Sequence, residues 1–262
     1  MDNWRGVLIE KNIAGAISAI TIILFIFDAG HIRLAVRALV LSVAFVFLYF
    51  TKSKTSLGLL GPVTVAGWLL LPYRIDYKLL VSIGIVMSCL GIVLVGYIYL
   101  TDLMPYLQAD DTLTGRVLIW PALVSYWQEN WILGAGFGSF WDIGSDSPIY
   151  RYTASWVTQV GNGHNGYLDL MAQLGTPGIF LAVSSLLIIP FSKLLSLRGI
   201  DPCARSLYVA MLIFCAAHNL NESSMLDRDS PMNIILFVTV ALVWRQSALR
   251  LGRADQEASR IT

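Results

Sequence analysis

His164 is the residue in this chain best suited to move a proton. It stands among small polar neighbours (Gly161, Asn162, Gly163, Asn165, Gly166) and not in an apolar stripe. An imidazole accepts a proton from an attacking hydroxyl near neutral pH, and glycines let a bulky substrate approach the backbone. The ordinary alternative is a histidine at a helix start, bonded to backbone. Arg116 follows Thr114-Gly115 at the head of a predicted helix. A guanidinium there can grip a phosphate through two N–H groups, helped by the open N–H groups of the helix start. Its plainer role is snorkelling to lipid headgroups. Thr51-Lys52-Ser53-Lys54-Thr55-Ser56 joins two apolar runs. Its two ammonium groups and four hydroxyls fit either a diphosphate or a simple polar turn. His218 falls just inside an apolar run, where an ionisable side chain hints at function as readily as at a bond to a neighbouring helix. Glu222 is a candidate to orient His164 or an incoming sugar.

Other chemistries find less support. Gly134-Ala135-Gly136-Phe137-Gly138 has the glycines of a dinucleotide loop, but no strand precedes it and there is no βαβ unit. A tight turn packing Phe137 and Phe140 is the better expectation. Asp102, Asp110, Asp111, Asp142 and Asp146 are scattered, without Asp-x-Asp or two-His spacing, so neither metal nor another cofactor is expected. No Gly-x-Ser-x-Gly elbow points to a serine hydrolase. Cys89, Cys203 and Cys215 lack paired spacing and read as packing residues.

The elements that must position these groups are apolar. The 262 residues are 56% hydrophobic and 13% charged, against about 25% charged in soluble domains. That composition indicates an all-α polytopic membrane protein, treated as a single domain over 1–262. The net charge of +1 and the lack of a dense Lys/Arg run give no reason to expect nucleic acid. Apolar runs near 13–28, 34–50, 57–72, 79–100, 176–192, 206–220 and 232–244 predict about seven spans, the last two needing tilt or extension. The long polar loop of about 101–175 is predicted to hold an interfacial helix over 115–129, with Val117, Trp120, Val124 and Trp127 on its apolar face. A second helix begins near His164 and stops at Gly175, with Leu168, Met171 and Leu174 on one face. Trp131, Phe137, Phe140 and Trp141 suit headgroup depth.

Lys/Arg placement gives the orientation. Arg245, Arg250, Arg253 and Arg260 put the C-terminus inside. Counting back, Lys193, Arg198 and Arg205, then Arg74 and Lys78, then Arg33 and Arg37 fall inside. The 101–164 loop, residues 51–56 and 221–231, and the N-terminus fall outside. Arg5, Lys11, Lys52 and Lys54 then sit outside against the trend, as cations suited to an anion beside the membrane.

In order, these residues resemble the O-antigen ligase family, which includes O-antigen and exopolysaccharide polymerases. The resemblance rests on Arg5-Gly6-(x)4-Lys11-Asn12, Thr51-Lys52-Ser53-Lys54-Thr55 and Gly115-Arg116-(x)3-Trp120 with Leu133-Gly134-(x)-Gly136-(x)-Gly138. It continues through His164-Asn165-Gly166-Tyr167-Leu168 with Leu174-Gly175-(x)2-Gly178, and Asn221-Glu222-Ser223. Gly163-His164-Asn165-Gly166-Tyr167-Leu168-Asp169 and Asp227-Arg228 lean towards the exopolysaccharide polymerases. The resemblance implies a metal-independent glycosyltransferase of the bacterial inner membrane, working on its periplasmic face. The implied donor is an undecaprenyl-diphosphate-linked glycan, and the acceptor is a sugar hydroxyl on lipid A–core or on a growing glycan. Membrane lipid and other polysaccharide-assembly proteins are the implied partners. It also implies catalysis by His164 and Arg116, and diphosphate binding by Arg116, Lys54 and Lys52. Asn165, Tyr167, Glu222 and Lys11 are supporting candidates. Lys54 stands where the family has Arg, which keeps the charge and loses the bidentate fork. The chain begins where the family already has spans, so about five further helices are expected upstream or in a partner polypeptide to restore an inside N-terminus. A polyprenyl-glycan transporter and an inactive membrane subunit are the alternatives; the first would favour mid-span charges and pseudo-symmetric halves.

Overall fold

In lipid, every backbone N–H and C=O must be satisfied within the protein, which continuous apolar runs achieve by forming helices. The computed structural model describes residues 3–8, 10–69, 116–197 and 200–261. Among them every regular element is helical: α1 (Lys11–Phe27), α2 (Leu34–Thr51), α3 (Lys54–Leu69), α4 (Arg116–Glu129), α5 (Gly166–Val183), α6 (Ile189–Ser196), α7 (Pro202–His218) and α8 (Pro231–Ile261). A π turn at Ser184–Ile188 links α5 to α6. Leu34–Thr51, Gly166–Ser196 and Pro231–Leu249 are long and apolar enough to cross a membrane, while α1 and α7 are shorter apolar helices. The span expected at 79–100, the cations Arg74, Lys78 and Arg198, and Gly115 lie outside the described residues. The chain divides into two compact units, Met1–Tyr73 with Ala182–Thr262, and Arg74–Leu181.

In the first unit α1 packs against α2, α3, α7 and α8. Its small buried residues Ala14, Ala16 and Ala19 let neighbouring backbones come near. α2 instead turns Leu34, Leu39, Val43 and Tyr49 outward, as a helix facing lipid does. The unit has two chemically different ends. At one, Arg37 Nη2 donates to Ile26 O at 2.8 Å, Arg205 donates to Leu197 O, and Lys193 Nζ lies 4.1 Å from the centre of the Trp244 ring. Phe27, Gly67 and Ser206 meet at this same end. At the other end, Trp4 N donates to Phe50 O and Asn12 Nδ2 to Glu222 Oε1.

In the second unit α4 buries Ile119, Ala122, Leu123 and Tyr126 against Phe140, Ile149, Val157 and Ala172. Trp120, Val124 and Trp127, on the face expected at the membrane interface, are half-buried. Both sides of α4 are apolar, and the loop's own aromatic residues select the one that is covered. Phe140 is fully buried, whereas Phe137 is 59% exposed. The turn at 134–138 therefore packs one phenylalanine and presents the other.

That turn also completes a broken helix. Gly175 (φ 66°, ψ −176°) kinks α5, so the helix starting at 166 bends at Gly175 and runs on, where the sequence alone predicts a stop. Thr176 N turns away to Trp131 O at 2.7 Å, and Pro177 has no N–H to give. The carbonyls of Ala172 and Gln173 thus lose their helical donors. Ala135 N and Gly136 N replace them at 2.9 and 2.8 Å, and Gly138 N bonds Gln173 Oε1 at 2.8 Å. A Cβ on Gly175 would lie 2.3 Å from Ile132 O, in a backbone region that is essentially glycine-only. Gly175→Ala is accordingly expected to destabilise this unit by at least about 1–3 kcal/mol, seen as a lower midpoint of thermal unfolding in detergent.

Candidate functional site

His164 sits in a turn braced by its neighbours' polar groups. Its φ of 49° is left-handed, a region costing a non-glycine residue about 1–2 kcal/mol. His164 N donates to Asn162 Oδ1 at 3.0 Å. On the other side, Asn165 Oδ1 accepts from Tyr167 N and Leu168 N, both at 3.1 Å. Asn165 is thus the N-cap of α5, and His164 immediately precedes the helix. Gly163 N donates to both carboxyl oxygens of Asp169, at 3.0 and 2.9 Å. Asp169 is buried and its Oδ1 also accepts from Trp141 Nε1 at 2.8 Å. A Cβ on Gly163 would lie 2.5 Å from Leu123 Cδ1 and 2.9 Å from Asp169 Oδ1. Only glycine fits there without moving the turn.

The same turn is tied to α4. Trp120 Nε1 donates to Gly163 O at 3.0 Å, fixing the early part of α4 against the residue before His164. Arg116 opens that helix, one turn before Trp120 and on the same side. The structure therefore brings the helix start carrying Arg116 towards the turn carrying His164, and both side chains are half-buried. Farther along, Tyr152 Oη donates to Glu129 Oε2 at 2.6 Å. Burial first, and this carboxylate second, push the Tyr152 phenol up to about 12, so it remains a neutral donor across the usual pH range. Burial also raises Tyr126, partly offset by the charge of Arg151. The Tyr126 ring meets Phe140 and Tyr152 edge-on at 4.9 and 5.5 Å, steadying the C-terminal end of α4.

Lys11, Lys52, Lys54 and Glu222 belong to the other unit and form a second group at one of its ends. Lys11, Lys52 and Lys54 are exposed, while Glu222 is buried and bonded to Asn12 at 2.7 Å. Asn219 builds the turn presenting Glu222: its Oδ1 accepts from Ser224 N and Met225 N at 3.0 and 2.8 Å. Lys52 ends α2 in the left-handed region. Three of the four hydroxyls beside the two lysines are taken up in packing. Thr51 bonds Leu48 O, Ser53 Oγ bonds Ser56 Oγ at 3.0 Å, and all three of these residues are buried. Ser53 and Ser56 press on Gly15 of α1, where a Cβ would come 2.4 Å from Ser53 Cβ. These three hydroxyls close the helix junction, and the ammonium groups stay at the surface. His218 is buried too, stacked on Phe214 at 5.6 Å.

Three of these positioning residues carry weaker signals in the sequence. Asp169 stands only inside a longer motif, Asn12 follows the more conspicuous Lys11, and Trp141 also suits headgroup depth. The signal for Asp169 is an acid one helical turn beyond the N-cap Asn165, with a glycine N–H before the cap to donate to it.

Helices long and apolar enough to cross a membrane define an α-helical membrane protein, and its second unit holds His164 and Arg116 on one braced framework. Residues 37–183 match the family model described as O-antigen ligase, more than half of the chain, and the chain belongs to that family. The match takes in Lys52, Lys54, Arg116 and His164 and leaves Lys11 and Glu222 outside it. A search of curated proteins gave no match.

Proposed function

We propose that this protein is a glycosyltransferase of the inner membrane that transfers or polymerises an undecaprenyl-diphosphate-linked glycan onto a sugar hydroxyl at the periplasmic face. The observation that carries the reading is the braced turn at His164, tied through Trp120 to the helix that Arg116 opens. In the reaction the acceptor oxygen bonds to the donor's anomeric carbon while the bond from that carbon to the diphosphate oxygen breaks. The hydroxyl proton leaves towards His164, which orients or receives it. Arg116 stabilises charge building on the departing lipid diphosphate, a task that needs no nucleotide. Lys52 and Lys54 offer exposed cations for the same anion class, and Lys11, Asn165, Tyr167 and Glu222 have supporting roles. The gathering of Arg37, Lys193 and Arg205 at one end of the first unit supports a cytoplasmic placement of that end, with the C-terminus.

The test is the surface glycan of cells that lack this protein, resolved on gels. Unchanged glycan would overturn the reading. Bare lipid core with the polymer left on its carrier identifies a ligase, and single repeats identify a polymerase.

A further inference from the structure

Beside the kink in α5 the second unit carries an apolar surface that the proposed chemistry does not use. Trp131, Ile132, Leu133 and Phe137 are 53%, 51%, 79% and 59% exposed. They lie in the run Trp131–Trp141, which contains no charged residue. An exposed cluster of this kind on a folded unit marks a binding surface.

Backbone geometry says what covers it. The run is clamped onto residues 172–176 by Ala135 N to Ala172 O, Gly136 N to Gln173 O and Thr176 N to Trp131 O. Trp127 Nε1 adds a bond to Thr176 Oγ1 at 3.0 Å. Just past this clamp, Phe180 and Leu181 of the same unit are 68% and 66% exposed, at the start of the apolar part of the Gly166–Ser196 span. The clamp thus sets the exposed cluster beside the exposed apolar part of a helix long enough to cross a membrane, and its tryptophan suits the interface between headgroups and hydrocarbon.

We propose that Trp131, Ile132, Leu133 and Phe137 form a wedge inserted into the outer edge of the bilayer, with lipid as its partner. The wedge fixes the membrane depth of the kink at Gly175. Through the nine residues Gly166–Leu174, rising about 1.5 Å each, it limits the height of the His164 turn above that level to about 15 Å.

Site-directed spin labelling of the full chain tests this in phosphatidylethanolamine–phosphatidylglycerol vesicles, with the native cysteines replaced by alanine. A nitroxide on Leu133→Cys is expected to collide with oxygen in preference to a water-soluble nickel chelate. Its oxygen-to-nickel ratio should be several-fold above that of Tyr150→Cys, an exposed position elsewhere in the unit, and near that of Phe180→Cys. If Leu133→Cys does not fold, Phe137→Cys reports on the same surface. A nickel-favoured label overturns the wedge, since the surface then faces water. A label shielded from both reagents also overturns it, because protein then covers the patch, whether another segment of this chain or a second copy. Neither outcome bears on glycosyl transfer, which the gel experiment tests separately.

Discussion

His164→Ala is expected to abolish glycan product while the protein still inserts and accumulates at its normal level. Loss of positioned acid–base help alone costs about 10²–10⁴-fold in rate, enough to clear a gel of polymer. Neighbouring groups brace the turn, so the substitution is expected to leave it standing. His164 contributes its backbone N–H to Asn162, while Asp169 and Asn165 anchor the residues on either side. One complication is conformational: alanine tolerates the left-handed backbone of position 164 poorly. Asparagine is several-fold enriched there, so His164→Asn removes the imidazole with less backbone cost. Both variants should be inactive, with immunoblots of membranes showing the protein present. Normal glycan from His164→Asn would remove His164 from the chemistry.

The helices were legible because a continuous apolar run satisfies its backbone within itself only as a helix, and among the described residues three of them are long and apolar enough to cross a membrane. α1, α2 and α3 begin within three residues of the apolar runs that predict them. Features that depend on which of two similar surfaces is covered were not legible. α4 has apolar residues on both sides, and only the tertiary arrangement buries Ile119 and Leu123 in preference to Trp120 and Trp127. The glycines at 134–138 read as a turn, but their partner carbonyls are created by a kink forty residues later. In Thr51–Ser56 the residue types fit an anion site, and burial of Thr51, Ser53 and Ser56 redirects their hydroxyls into packing. At the site, His164 and Arg116 stood out because charged groups are scarce here. Asp169 did not, since a single acid on a helix shows its importance only when its acceptors meet Gly163 and Trp141.

Asp169→Ala is expected to bring the second large loss, acting through His164 rather than on substrate. The buried carboxyl group accepts from Gly163 N through both oxygens and from Trp141 Nε1. Removing it strands two donors beneath the turn, at about 1–3 kcal/mol for each unsatisfied group. Relaxation of the Gly163–His164 backbone is the natural escape, and small misplacement of a reacting group costs about 10²-fold. Asp169→Asn should be milder, keeping one oxygen acceptor while setting an amide N–H against a donor. Trp141→Phe, which deletes a single bond, should be milder still. A merely structural role would lower the amount of folded protein in step with activity. A positioning role instead lowers kcat per folded molecule and leaves the donor's KM little changed. The double variant Asp169→Ala/His164→Asn separates the two further: once the imidazole is gone its placement no longer matters, so the second substitution should add almost nothing to the loss. Losses that multiply in the double variant would show that Asp169 acts independently of His164.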